Sequence, residues 1–333
     1  VSSDVGRTST SGTDPTGAGH LMPSRSVPGT IRLAVTMGDP RGIGPEVIAT
    51  ASKDAPATLV VVGPSGAGLE PDVVVGHWGG GSTADAGRLA GAAIERAVVM
   101  ARRGDVDGIV TAPIHKAALA AGGYPFPGHT EMLQALTGAP EVVMLMAAEQ
   151  TRLGSPLRVV LATTHIRLAD VAGSLTRERL VSQAAITVRG LRDQWGIPAP
   201  RVALCALNPH ASDNGLFGDE EARIFAPAVE ELCHAGHDVV GPIPADTVFS
   251  RALAGEFDVV IAPYHDVGMA VFKAVSFGSG VNVTLGLPFV RTSPDHGTAL
   301  DIAGRGEADA GSMREAVRLA VRLVTAPRPA ALG

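Results

Sequence analysis

Three histidines stand just past the ends of apolar, β-branched runs. The run 157-LRVVLATT-164 leads into His165, 201-RVALCAL-207 into Asn208-Pro209-His210, and 258-DVVIAP-263 into Tyr264-His265-Asp266. A neutral imidazole is a common ligand for a divalent cation, and three of them with open coordination positions suit a catalytic metal site. The histidines lie 45 and 55 positions apart, the length of successive strand-helix-strand units. If the strands are parallel, all three rings share the carboxyl edge of one sheet, where open α/β sheets bind ligands. Taken singly, each is better explained by capping or orienting a loop; the coincidence of three strand ends points to metal. Three imidazoles favour zinc, while magnesium, manganese or cobalt suit looser hydroxy-acid chelation.

Other segments suit an anionic ligand. Gly128-His129-Thr130-Glu131 precedes a helix-like stretch, and backbone N–H groups, an imidazole and a hydroxyl at a helix start fit phosphate or carboxylate. Ordinary capping by Thr130 is an equal alternative. Lys273, Asn282 and Arg291 lie close together in an otherwise apolar, Gly-rich segment. A cation, an amide and a guanidinium match a phosphorylated hydroxy acid, against a background of scattered exposed charges. His296, next to Asp295, either orients a loop or touches substrate; His77, His115, His234 and His237 carry no comparable signal. The loop 36-TMGDPRGIGPE-46 looks like a phosphate loop after a first strand. It lacks both the third glycine of the dinucleotide fingerprint and the Gly-Lys-Ser/Thr of a P-loop, and Pro45 can open the next helix.

The elements that must position these residues follow from periodicity. The runs 31–36, 58–63, 107–112, 157–164, 201–207 and 258–263 are continuous apolar strands, and 84–103 and 176–195 are helix-like. Continuous rather than alternating apolar runs mean strands covered on both faces, so the fold class is α/β with a mostly parallel, doubly wound sheet. The segment 281–293 is the one antiparallel, hairpin-like candidate. Residues 1–29 are rich in Ser, Thr, Gly and Pro and read as a disordered arm, which sets aside His20. The remainder of the 333 residues, 45% hydrophobic overall, can bury a large core. A net charge of -6 gives no reason to expect nucleic acid. No run approaches a membrane span, the start lacks the pattern of a signal peptide, and two cysteines, Cys205 and Cys233, make no disulfide framework. The expectation is a cytoplasmic protein that meets neither nucleic acid nor membrane.

Together, the segments MGDPRGIGPE, TAPIHK, PGHTE, TTH, LNPHASDNGLFGDEE, GPIPADT, YHD and GVNVTLGLPFVRTSPDHGTALDIAGRG resemble the 4-hydroxythreonine-4-phosphate dehydrogenase family of vitamin B6 synthesis, in order from about residue 31 to 312. The resemblance implies an α/β/α fold in two subdomains, similar to isopropylmalate dehydrogenases and without a Rossmann fingerprint. The implied boundaries are 30–138 plus 292–333 for the first subdomain and 139–291 for the second. It implies NAD- or NADP-dependent oxidation of 4-phosphooxy-L-threonine to a β-keto acid that decarboxylates to 3-amino-2-oxopropyl phosphate. It also implies a divalent metal on His165, His210 and His265, and substrate contacts from His129, Thr130, Lys273, Asn282 and Arg291. A homodimer with its active site at the subunit contact is implied as well. Lys273 or Asp246 is expected to relay the alcohol proton, and no residues are assigned to the dinucleotide.

The sequence departs from the family pattern in two places. Val267 follows Tyr264-His265-Asp266 where the family usually has Gln, and the segment from Gly63 to Ala84 is short. NGLFGDEE is shared with threonate 4-phosphate dehydrogenases, whereas the run after Lys273 resembles the vitamin B6 branch. Threonate 4-phosphate or a related catabolic hydroxy acid or diol is therefore the alternative substrate. A noncatalytic metal- or phosphate-binding protein is the alternative of another class.

Overall fold

The computed structural model describes residues 30–276 and 278–327. The expectation of a disordered arm over residues 1–29 lies outside the described residues. Among them, eleven strands form one sheet: β1 (Arg32–Thr36), β2 (Thr58–Ser65), β3 (Val73–His77), β4 (Gly108–Thr111), β5 (Val143–Ala148), β6 (Leu157–Leu161), β7 (Val202–Cys205), β8 (Val239–Ile243), β9 (Val259–Ala262), β10 (Val281–Leu285) and β11 (Val290–Pro294). Their spatial order is β3-β2-β1-β4-β11-β10-β5-β6-β9-β7-β8. The helices are α1 (Gly44–Ala51), α2 (Thr83–Arg103), α3 (Lys116–Ala121), α4 (His129–Thr137), α5 (Val171–Ser174), α6 (Arg177–Trp195), α7 (Ala226–His234), α8 (Ala245–Leu253), α9 (His265–Ser276) and α10 (Gly311–Thr325).

The six expected apolar runs all become strands, and β4, β6, β7 and β9 are buried throughout. Successive residues of one strand serve opposite cores. On β1, Leu33 and Val35 join the cluster under α1, α6 and α10, while Ala34 joins the one under α2. A third cluster lies beneath α8 and α9. Helices therefore cover both faces, as continuous apolar strands require. The two expected helices start on side-chain caps. Ser82 and Asp85 form a capping box at α2, and Thr176 accepts from the Arg179 N–H at α6; left-handed glycines, Gly104 and Gly196, follow their last turns.

The sheet is less uniform than a doubly wound pattern. The hairpin over 281–293 forms, with Asn282 opposite Ser293, and β11 runs parallel to β4. A further strand, β5, is antiparallel to both β10 and β6. Its sequence, 142-VVMLMAA-148, is rich in Met, Leu and Ala, which favour helix; cross-strand pairing overrides that preference. With β10 and β5 inserted between them, the parallel blocks β3-β2-β1-β4-β11 and β6-β9-β7-β8 run in opposite directions. The short stretch after Gly63 gives β3, parallel to β2 although only residues 66–72 connect them. A crossover usually takes a dozen residues or more, and β3 is correspondingly a half-exposed edge. No helix among the described residues is long and apolar enough to cross a membrane.

Candidate active site

A cleft of about 460 Å³ lies against the antiparallel centre of the sheet. Met146, Asn282 and Ser293 point to it from adjacent strands, in register across β5, β10 and β11, with Met144 and Arg291 one pleat away. Arg291 is only 2% exposed. Its Nη1 donates to Thr284 Oγ1 at 2.9 Å and its Nη2 to Thr111 Oγ1 at 2.6 Å, so strands β10 and β4 hold the fork flat. Nε has no partner among the described residues, and no carboxylate pairs with the guanidinium there. Burial pulls its pKa down to about 9, against the opposing charge of Glu131. A buried cation held only by hydroxyls is costly unless an anion joins it, and its cleft is where one can enter.

The start of α4 forms a second wall. Gly128 caps the helix without a side-chain hydrogen bond, and Thr130 faces the cleft rather than capping. His129 is held well below the ordinary histidine range, first by burial and then by the charge of Arg291. Among the described residues its Nε2 is enclosed and unpartnered, as are Asn282 Oδ1, Gln183 Oε1 and His296 Nε2, all on cleft-lining residues. Asn282 Nδ2 meets only Met144 Sδ, at 3.0 Å. Such a set of buried donors and acceptors suits a small polar ligand. Lys273 does not line the cleft; its Nζ is 2.6 Å from Asp295 Oδ2, and Asp295 does.

Two of the three strand-end histidines meet. Strands β6 and β9 are parallel neighbours with Leu161 opposite Ala262, and Thr163 Oγ1 donates to Pro263 O, which stitches the segments that follow. The rings of His165 and His265 lie 5.6 Å apart, centroid to centroid. Two imidazoles bound to one tetrahedral ion by bonds of 2.0–2.1 Å put their centroids about 5 Å apart, so the pair fits two ligands of one cation. His265 Nδ1 lies 2.7 Å from Asp266 Oδ1, which orients the ring and leaves Nε2 for a ligand. Burial, then the charges of Lys116 and His265, lower the pKa of His165 and keep it a neutral donor.

His210 stands apart. It is exposed and does not line the cleft, and no set of three His, Cys, Asp or Glu fit for a metal forms within the described residues. It sits in a tight turn, Pro209–Asp213, where His210, Ala211, Ser212, Asp213 and Asn214 all have positive φ. Glu221 holds that turn. Its carboxylate accepts from the N–H groups of Leu207 and Asn208 at 2.9 and 2.7 Å, from Asn208 Nδ2 at 2.9 Å and from the Ser212 hydroxyl. Asp246, exposed on α8, packs near the same turn and also lies outside the cleft.

Several residues escaped the sequence reading. Lys116, Glu131, Gln183 and Asp295 line the cleft. Lys116 and Glu131 stand inside the quoted segments TAPIHK and PGHTE; Gln183 sits in an ordinary amphipathic helix with no local signal. The 36–46 loop is built for packing. A Cβ on Gly38 (φ +72°) would lie 2.1 Å from Pro113 O, and the Asp39, Gly42 and Ile43 N–H groups already donate to Pro113, Asp39 and Thr298 carbonyls. Those amides are not free to cradle a phosphate. His115 caps α3 through Nδ1, and Val267, half-buried on α9, packs against the third cluster and does not line the cleft.

The family model of the pyridoxal phosphate biosynthetic protein PdxA matches residues 52–320. The chain is 42% identical to a 4-hydroxythreonine-4-phosphate dehydrogenase of Azoarcus sp., over 88% of this chain and 96% of that one. It is 43% identical to a D-threonate 4-phosphate dehydrogenase of Cupriavidus necator, over 88% and 97%. A solved 4-hydroxythreonine-4-phosphate dehydrogenase from Klebsiella pneumoniae superimposes with a TM-score of 0.78 at 38% identity, covering 89% of this chain and 98% of that one. A β-decarboxylating dehydrogenase from Thermococcus kodakarensis, 15% identical with a TM-score of 0.53 over 88% and 82%, shares the fold alone. The chain belongs to the PdxA family of pyridoxal phosphate biosynthetic proteins.

Proposed function

We propose that this cleft oxidises 4-phosphooxy-L-threonine with NAD or NADP, to a β-keto acid that loses CO2 and leaves 3-amino-2-oxopropyl phosphate. The observation that carries the reading is Arg291, a buried guanidinium without a carboxylate beside His129 and the open start of α4. His165 and His265 would hold one divalent ion, zinc by donor set, with magnesium, manganese or cobalt as alternatives. His210 of a second copy of the chain would complete the set, which makes the working unit a homodimer. When bound, the ion lowers the pKa of the substrate alcohol and offsets charge that develops on oxygen. His129, neutral and enclosed, hydrogen-bonds the substrate; Asn282 Oδ1 accepts from it, and Arg291 takes one of its anionic ends. Lys273, anchored beside the cleft by Asp295, is the favoured carrier of the alcohol proton over Asp246, which a single chain leaves outside. The two free cysteines suit a cytoplasmic enzyme.

A second reading, D-threonate 4-phosphate as substrate, is supported by the 43% identical Cupriavidus relative. One experiment separates them. The protein is stripped with chelator, reloaded with each metal in turn, and mixed with NAD or NADP and each substrate while reduced nicotinamide absorbance is followed. Metal-dependent turnover of 4-phosphooxy-L-threonine with the higher kcat/KM supports the first reading, and the reverse preference supports the second. No turnover of either sinks both.

A further inference from the structure

Lys116 is a cation of the cleft that no assignment uses. It opens α3 and lines the cleft, and no hydrogen bond or ion pair ties down its ammonium among the described residues. Lys273, by contrast, is committed to Asp295. The Lys116 Cε lies 3.8 Å from where a Cβ on Gly128 would sit, so the side chain runs over the start of α4. Glu131 Oε2 flanks the same point at 3.5 Å, yet makes no ion pair with it. That helix start has no side-chain cap, and two buried, unpartnered atoms, Arg291 Nε and His129 Nε2, belong to residues lining the same cleft.

We propose that Lys116 is a substrate-binding residue that holds a phosphate monoester over the start of α4. This rests on the reading of the cleft as a phosphorylated hydroxy-acid site. There the hydroxyl and carboxylate belong at the histidine pair, and the phosphate must take the other end. A dianion matches what that end offers: unsatisfied helix N–H groups, the positive end of the helix dipole and a compact, flexible ammonium. The shape of Lys116 suits the task, because a point charge follows a phosphate without the fixed geometry a guanidinium demands.

The test compares wild type with Lys116→Met and Lys116→Arg. Calorimetry measures the Kd of inorganic phosphate, and turnover of 4-phosphooxy-L-threonine separates KM from kcat. In Lys116→Met the phosphate Kd and KM should each rise about ten- to a hundredfold, with kcat within about threefold. Lys116→Arg should restore most of the loss, and both variants should keep the wild-type Tm, since the side chain is exposed. Unchanged Kd and KM in Lys116→Met overturn the proposal while the substrate reading stands; a loss confined to kcat, or to Tm, also overturns it. If wild type turns over neither substrate yet binds phosphate and Lys116→Met does not, the substrate reading falls and the role of Lys116 survives. A wild type that does not bind phosphate overturns the role.

Discussion

Burial sets the charge states of Arg291 and His129, and Arg291 adds to the effect on His129. The buried guanidinium lies within Coulomb reach of the imidazole and, after burial itself, lowers its proton affinity, while burial lowers that of Arg291 against the charge of Glu131. Arg291→Lys keeps the charge but loses the fork that spans Thr284 and Thr111. It should lower kcat/KM by about 2–4 kcal/mol, or roughly thirty- to a thousandfold, with Tm little changed. Wild-type kcat/KM in Arg291→Lys would remove Arg291 from the substrate's contacts. The depressed pKa of His129 also makes a stability prediction. Its folded pKa lies below the unfolded value of about 6.5, so the unfolded chain binds more protons in that window. The contribution is fully present above the unfolded value and is lost as pH falls toward the folded one. His129→Asn should therefore lose less Tm than wild type between about pH 7 and pH 5; equal losses in both would count against a neutral His129 with an enclosed Nε2.

At the scale of elements, the turn after β7 is the most strained segment described. Five consecutive non-glycine residues, His210 to Asn214, take positive φ, which costs roughly 1 kcal/mol or more per residue. Glu221 offsets that strain with its four accepted hydrogen bonds, which outweigh burial and keep its pKa below the usual range. Glu221→Ala leaves the Leu207 and Asn208 N–H groups unpaired and should lower stability by about 1–3 kcal/mol in denaturant titration. Ala211→Gly relieves strain at φ 52° and should raise it by about 0.5–1 kcal/mol. An unchanged midpoint in both variants would show that the turn is not under load. The turn's strand was legible from its apolar run, and its break from Asn208-Pro209. Its left-handed path was not, because Glu221 acts from a separate helical segment.

On the scale of the whole molecule, one chain gathers His165 and His265 and leaves His210 and Asp246 outside the cleft. The proposed dimer makes a sharp prediction. His210→Ala and His165→Ala proteins, each inactive alone, should recover activity when unfolded, mixed and refolded together. In a mixed dimer one site keeps all three imidazoles. Random pairing then restores about a quarter of wild-type activity. No recovery, with both variants dimeric by light scattering, would mean that the three histidines act within one chain or not as a set.

The amino-acid order dictates whatever depends on neighbours along the chain. It specified six runs and a hairpin that become strands, that His165 and His265 follow two of them, that Pro45 sits in the first turn of α1, and that His129, Thr130 and Glu131 cluster at one helix start. These are readable because strand periodicity and turn residues act locally. Tertiary structure alone decided the direction of β5, which its Met-, Leu- and Ala-rich sequence argues against, and hence the opposed parallel blocks with the cleft between them. It also decided the state of Arg291, whose burial depends on Thr111, 180 positions away. Finally, it separated His210 from the other two histidines. Adjacent strand ends share an edge, but where a side chain goes next is decided by the loop that carries it, and that loop is held by Glu221.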